Sequence, residues 1–274
     1  MFSAPTPQPA RVSECDEPKA GRIWCDDFES DRTPAYFEYD DGRGSFARVA
    51  GVGLDSSSGM RVRWQRGTVN AGSLHLAFGR TPIPYMKPAD EGTTNYREIY
   101  WRMYVRLQAD WTGGGGDKLS RAIVFANGSF AEAAVSHVWS MNAAYLGLDP
   151  ASGTDASGTL KTTGYNDSPN LRFLGALAST TPIFDAAHVG KWYCVEAHMR
   201  LNDFGETNGV NELWINGNLE VQATNLNWVG GFNQFGINAI YFENYWNDGS
   251  PAVQERYFDN LVVSTQRIGC TALR

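Results

Sequence analysis

The sequence predicts an all-β protein, a sandwich of antiparallel sheets, and three observations carry that prediction. From Lys191 to Asn202, residues Tyr193, Val195, Ala197, Met199 and Leu201 alternate with Cys194, Glu196, His198, Arg200 and Asn202, the period of two that places successive side chains on opposite faces of a strand. Asn216-Gly217 then separates two further alternating runs, Asn211–Ile215 and Leu219–Ala223, which is the hairpin signal of a turn needing positive φ at both central residues. Finally, 29 glycines punctuate a chain with no internal repeat and no long amphipathic helical stretch, so strand and turn account for nearly all of it.

The 274 residues are read as a Pro-, Ala- and Ser-rich extended tail, 1–20, and one sandwich domain, 21–274, large enough to bury its own core. A net charge of −7 argues against nucleic acid or an anionic membrane as partner. It leaves an acidic polysaccharide open if the binding cleft is locally basic. No apolar run reaches the roughly 18 residues of a membrane span. Residues 1–11 lack the charged and apolar regions of a signal peptide, so an exported chain is expected to have lost its leader. Four cysteines allow three pairings; the short loop between Cys15 and Cys25 favours a local bridge, leaving Cys194 with Cys270, and bridges imply export. A monomer is expected.

Taken in order, Ile23–Ser30 reads as the first strand, with Trp24, Asp26 and Phe28 opposite Asp27 and Glu29. Residues 40–59 are turn-rich with short strands, Arg61–Gln65 and Ser73–Phe78 alternate again, and Pro84, Pro88 and Gly92 mark 83–96 as loop. Arg97–Leu107 is the clearest strand of the first half, with Ile99, Trp101, Met103, Val105 and Leu107 facing the core. The tetraglycine 113–116 before Asp117-Lys118 does not meet the phosphate-loop pattern and is read as a flexible rim loop. Strands follow at Arg121–Ala126 and Ala133–Asn142, then a long surface loop at 147–169, a strand at Asn170–Ala178 presenting Arg172, and strands at Ile237–Trp246 and Tyr257–Ser264.

The series Gly190-Lys191-Trp192, Arg200-Leu201-Asn202, Gly209-Val210, Leu213-Trp214-Ile215-Asn216-Gly217 and Tyr257-Phe258-Asp259-Asn260 resembles the C-terminal half of the jelly-roll polysaccharide lyases. These are the alginate and glucuronan lyases of the concanavalin A-like superfamily; the secreted, cellulose-induced fungal proteins of that fold are similar too. The resemblance implies a two-sheet antiparallel β-jelly roll with a concave carbohydrate cleft, the first and last strands pairing on the convex sheet. The concave sheet is expected to hold Arg97–Leu107, Arg121–Ala126, Ala133–Asn142, Lys191–Asn202 and Ile237–Trp246. It implies a secreted carbohydrate-active protein, in first place a lyase cleaving an acidic or plant or algal cell-wall polysaccharide by β-elimination. The chain departs from the lyase pattern at Gln254-Glu255-Arg256, where a tyrosine is usual, and at Glu243 to Asp248, where small polar residues are.

Elimination from a uronic acid needs a group that neutralises the carboxylate, a base for the C5 proton and an acid for the leaving oxygen. Arg102, Arg121 or Arg200 are candidates for the first role, His198 or His137 for the second, and Tyr104, Tyr241 or Tyr245 for the third. Lys118, Glu196, Glu243, Tyr245, Trp139 and Trp246 complete the expected cleft, the rings as stacking platforms. Two other readings use the same residues: a carbohydrate-binding protein without catalysis, and a glycoside hydrolase working through Glu196 and Glu243. Zinc, serine-hydrolase and laminarinase-type signatures are absent, and no organic cofactor is expected. The resemblance also implies a structural calcium ion held by Glu29 and Asp259, where the first and last strands meet.

Overall fold

A computed structural model describes residues 13–271. Its strands, in chain order, are β1 (Arg22–Asp26), β2 (Glu38–Asp40), β3 (Phe46–Val49), β4 (Gly59–Trp64), β5 (Asn70–Ala77), β6 (Glu98–Leu107), β7 (Lys118–Phe125) and β8 (Glu132–Met141). They continue as β9 (Tyr145–Ser152), β10 (Arg172–Phe173), β11 (Leu177–Pro182), β12 (Tyr193–Arg200), β13 (Gly209–Ile215), β14 (Asn218–Leu226), β15 (Ala239–Tyr245) and β16 (Gln254–Ser264). All pairings are antiparallel and form two sheets. The terminal sheet runs β14–β13–β12–β6–β16–β4–β3, with β1 on β16; the groove sheet runs β10–β9–β8–β7–β15–β5–β2, with β11 on β9. This is the expected β-jelly roll, and the first and last strands pair as expected, Trp24 opposite Val263 and Asp26 opposite Leu261.

The inner faces interdigitate as one core. Trp101, Met103, Val195, Ala197 and Met199 from the terminal sheet meet Leu74, Leu76, Ala122, Val124, Val138 and Phe242 from the groove sheet, all essentially inaccessible. Their burial, at about 25 cal/mol per Å² of apolar surface, is the main favourable term. The β13–β14 hairpin turns at Asn216 (φ 52°) and Gly217 (φ 84°), as the Asn-Gly signal required.

The core-facing residues of β6 and β12 are those the alternation indicates, but both strands belong to the terminal sheet and not to the sheet carrying the groove. They pair with one another and β6 pairs with β16, which bears β1, so the strand order leaves them no edge on the other sheet. The expected loop 147–169 contains most of β9, which Gly147, Asp149 and Pro150 disguise; β8 on one side and β10 and β11 on the other hold it. The expected strand 170–178 is interrupted, pairing only at Arg172–Phe173 and again from Leu177. The tetraglycine is packed rather than free: a Cβ on Gly115 would lie 2.4 Å from the Phe184 ring. Of the expected tail, residues 1–12 lie outside the described residues, and 13–20 are tied down through the Cys15–Cys25 disulfide and a 2.6 Å ion pair from Glu14 to Arg102.

The outer faces are finished differently. On the groove sheet, Ile123, Phe125, Val135 and Ala239 form a second apolar cluster with Phe37 and Met86, against which Ile83 and Phe130 pack. That cover occupies one end of the face and leaves the polar end open. On the terminal sheet, the segment 268–271 crosses β12 and β6 and is bonded to β12 by the Cys194–Cys270 disulfide.

Candidate functional site

Strand register aligns one polar row across six strands of the groove sheet: Asp149, His137, Arg121, Tyr241, His75 and Glu38 are successive partners on β9, β8, β7, β15, β5 and β2. Two residues along, on the same face, come Trp139, Glu243, Ser73 and Asp40. All of these but Asp149 and Tyr241, together with the loop residues Tyr165, Asn166, Ser168 and Leu171 and with Phe173 of β10, line a groove of about 590 Å³.

Arg121 is its electrostatic centre. Its Nε donates to Glu243 Oε2 at 2.6 Å and its Nη2 to Glu243 Oε1 at 2.7 Å; Nη2 also reaches Tyr165 Oη at 2.5 Å, and Nη1 donates to Asn166 Oδ1 at 2.9 Å. Glu132 Oε1 stands 3.6 Å from Nη1. Burial works against the guanidinium charge, yet Glu243, Tyr165 and Glu132 together hold its pKa above the ordinary arginine value. Burial likewise penalises ionised Glu243, and Arg121 and Lys118 overcome it, keeping that carboxyl below its usual range. Glu132 goes the other way: burial pushes its pKa up to about 7, against the pull of Arg121 and with the help of Glu243. One arginine thus serves two glutamates that titrate far apart.

His137 lies beside this pair, stacked on Trp139 with ring centres 5.1 Å apart. Its Nδ1 is 3.0 Å from the carbonyl oxygen of Asp149. A carbonyl only accepts, so Nδ1 carries the proton and, in the neutral ring, Nε2 keeps its lone pair. Burial, reinforced by Arg121, pushes the imidazolium pKa down to about 3, so the ring is neutral across the physiological range. On the opposite side His75 stacks on Tyr241 at 3.5 Å and bonds Glu38 at 2.7 Å. Lys118 Nζ sits 4.7 Å from the ring centre of the exposed Tyr245.

The groove therefore gathers His137, Arg121, Lys118, Glu243, Tyr245 and Trp139 of the expected set. It does not contain Arg102, Tyr104, Glu196, His198 or Arg200, which lie on the outer face of the terminal sheet. Glu196 accepts from the amides of Ile268 and Gly269 at 2.7 and 3.1 Å, clamping the C-terminal segment. Arg102 pairs with Glu14 and the Asn260 carbonyl, and Tyr104 bonds Thr271 at 2.7 Å. His198 is held between Glu212 (2.7 Å) and Glu98 (2.8 Å) and stacked on Tyr100, while Arg200 donates to the Asn208 carbonyl. The Glu196–Glu243 pair needed for hydrolysis is thus split between opposite faces of the molecule. Trp246 is no platform: it is buried between Trp111 and Trp64. Tyr241 is only 2% exposed and forms the floor under His75 and Tyr165.

Glu132, His75, Glu38, Tyr165 and Asn166 were not singled out from the sequence. Two of the three strand residues could have been: His75 continues the alternation of its segment, and Glu132 stands one residue before the expected strand 133–142. Tyr165 and Asn166 come from a loop with no periodic signal. Arg256 was noted only as a departure from the lyase pattern; it is fully buried and reaches through the core from the terminal sheet. It donates to the carbonyls of Lys118 at 3.0 Å and Glu243 at 2.9 Å, so it holds the backbone beneath two groove residues.

Glu29 and Asp259, the expected calcium ligands, converge on the loop 53–58. Glu29 Oε1 accepts from the Ser58 amide at 3.1 Å, and Asp259 Oδ2 from the Leu54 amide at 2.7 Å and Ser57 Oγ at 3.1 Å. The loop borders a separate cavity of about 280 Å³ to which Asp27, Glu29, Asp55 and Asn260 contribute oxygens, the donor chemistry calcium takes. Among the described residues, however, no three His, Cys, Asp or Glu side chains come together as a metal-holding cluster.

The fold and the groove define the class: a β-jelly roll with a polar groove across one sheet. Among solved structures it is similar to an alginate lyase from a Chlorella virus (TM-score 0.60, 12% identity, covering 85% of this chain and 94% of the other). It is also similar to the endo-β-1,4-glucuronan lyase of the fungus Trichoderma reesei (0.56, 12%, 84% and 96%) and to a cellulose-induced protein (0.52, 15%, 90% and 100%). At these identities the likeness is one of fold. No protein-family model and no curated protein sequence matches the chain.

Proposed function

We propose that the chain is an exported carbohydrate-active protein whose groove cleaves a uronic-acid-containing polysaccharide by β-elimination. The observation that carries this reading is the state of His137: neutral, its ring fixed by the Asp149 carbonyl, with the Nε2 lone pair left to take a proton in the groove. In the reaction Nε2 removes the C5 proton, the electrons of that bond form the C4=C5 double bond, and the C4–O bond breaks. Tyr245 donates its hydroxyl proton to the departing oxygen. Lys118 donates to the C6 oxygen, where negative charge grows as the proton leaves. Kinship of fold with a glucuronan lyase and an alginate lyase supports the choice of reaction, and two disulfides support an oxidising compartment.

The test is a screen of alginate, glucuronan and homogalacturonan, free and esterified, for the ultraviolet absorbance of a double bond conjugated with the C6 carbonyl. Its appearance, lost in His137→Ala, is the expected result; reducing ends without that absorbance would replace elimination by hydrolysis.

A second reading, carbohydrate binding without cleavage, is favoured by the exposed rings of Tyr165, Phe173 and Tyr245 along the groove. Retention by a polysaccharide with no product of either kind would select it.

A further inference from the structure

We propose that the groove takes a uronosyl residue whose carboxyl group is uncharged, an ester, in preference to the free carboxylate. This rests on the elimination reading above and specifies its substrate.

The argument starts from Arg121, the residue best suited by type to pair a carboxylate in two-point fashion. Its donors are committed: Nε and Nη2 to Glu243, Nη2 also to Tyr165, and Nη1 to Asn166 and towards Glu132. It is also 1% exposed. An incoming uronate would have to displace a buried glutamate from it, and the displaced charge would then lie unpaired.

Charge in the groove points the same way. Glu38, Asp40 and Glu243 line it as carboxylates against two cations, Lys118 and Arg121, with Glu132 half-protonated near neutral pH. With Arg121 paired, Lys118 is the cation left to a ligand among the described lining residues, and burial lowers its pKa. The chain as a whole carries −7, so a polyanion approaches against the long-range field as well.

The chemistry completes the case. Removing the C5 proton next to a carboxylate builds a dianion, which needs strong cationic neutralisation. Next to an ester it builds a mono-anionic enolate that a single donor such as Lys118 stabilises. The α-proton of an ester is also more acidic, which suits a base as weak as the buried His137. Trp139, Leu171 and Phe173 in the same groove give an alkyl ester apolar surface to rest on.

The experiment compares the full chain on methyl-esterified and saponified batches of the same polymer, for glucuronan, alginate and homogalacturonan, at neutral pH. Initial rates are read from the ultraviolet absorbance of the product, and binding from affinity electrophoresis in gels containing each polymer. We expect kcat/KM on the ester to exceed that on the free acid by roughly tenfold or more, the factor that about 1.4 kcal/mol commands. Added salt should strengthen binding of the free acid by screening repulsion, and leave the ester unaffected. Asp40→Asn, an exposed rim change, should narrow the ratio. Equal or faster cleavage of the free acid, or free-acid binding that weakens with salt, overturns the proposal. If neither polymer is cleaved, the elimination reading fails and the gels decide: stronger retention by the ester upholds the selectivity, while equal retention, stronger retention by the free acid or none by either refutes it.

Discussion

Arg121 grips Glu243 by two parallel hydrogen bonds, Nε to Oε2 at 2.6 Å and Nη2 to Oε1 at 2.7 Å, and both residues are buried at the floor of the groove. Such a pair is costly to break and cheap to replace. Arg121→Met should destabilise the fold by roughly 3–5 kcal/mol, because Glu243 is left as an uncompensated buried charge. Adding Glu243→Leu should restore most of the loss. Denaturant midpoints of the two variants make the comparison; equal destabilisation in both would show that the pair is not the source.

The two histidines proposed as bases now separate by position. His137→Ala should abolish elimination, since it removes the neutral imidazole from the groove. His198→Ala should leave turnover intact and lower stability by roughly 1–3 kcal/mol, because Glu98 and Glu212 lose the ring that bonds both. Rates and melting curves on the same preparations test this; loss of turnover in folded His198→Ala would return the site to the terminal sheet.

Glu132 should make stability depend on pH with a definite sign. Its pKa in the folded chain, about 7, lies above the ordinary 4.5, so the folded state binds the proton more tightly. The contribution is complete below the ordinary value and is lost as pH rises to the folded one, a loss of roughly 3 kcal/mol. Glu132→Gln should remove that slope. Denaturant melts of both proteins at about pH 5 and about pH 8 supply the difference; parallel changes would mean the carboxyl is not titrating there.

Calcium is tested by stability. If the oxygens of Glu29, Asp259 and the 53–58 loop hold a cation, added calcium should raise the melting temperature and a chelator lower it, and Asp259→Asn should abolish the response. A melting temperature indifferent to both additions, with no calcium by elemental analysis, removes the site.

Much of the fold was legible and much of the site was not, for one physical reason. Alternation along β12 marks Val195, Ala197 and Met199 as core and turns Glu196, His198 and Arg200 outward, and both assignments hold in the structure. The hairpin at Asn216-Gly217 and the bridge Cys15–Cys25, which leaves Cys194 for Cys270, were likewise within reach of local reasoning. These follow from the pleat, from positive φ and from spacing, which are properties of a short stretch of chain.

Period two is the same on either sheet of a sandwich, because each buries one face against the other. It says which side chains leave the core and nothing about which outer surface they reach. Strand order, set by long connections, placed β6 between β12 and β16, where the C-terminal segment covers Glu196, Arg102 and Tyr104. The same order put His137, Arg121 and Tyr241 in one row across β8, β7 and β15, from segments more than a hundred residues apart in the case of Arg121 and Tyr241. Tyr165 and Asn166 joined them from a loop without pattern, and burial rather than residue type gave Glu132 its proton and His137 its lone pair. Those states depend on the low dielectric and the neighbouring charges that only the folded chain assembles.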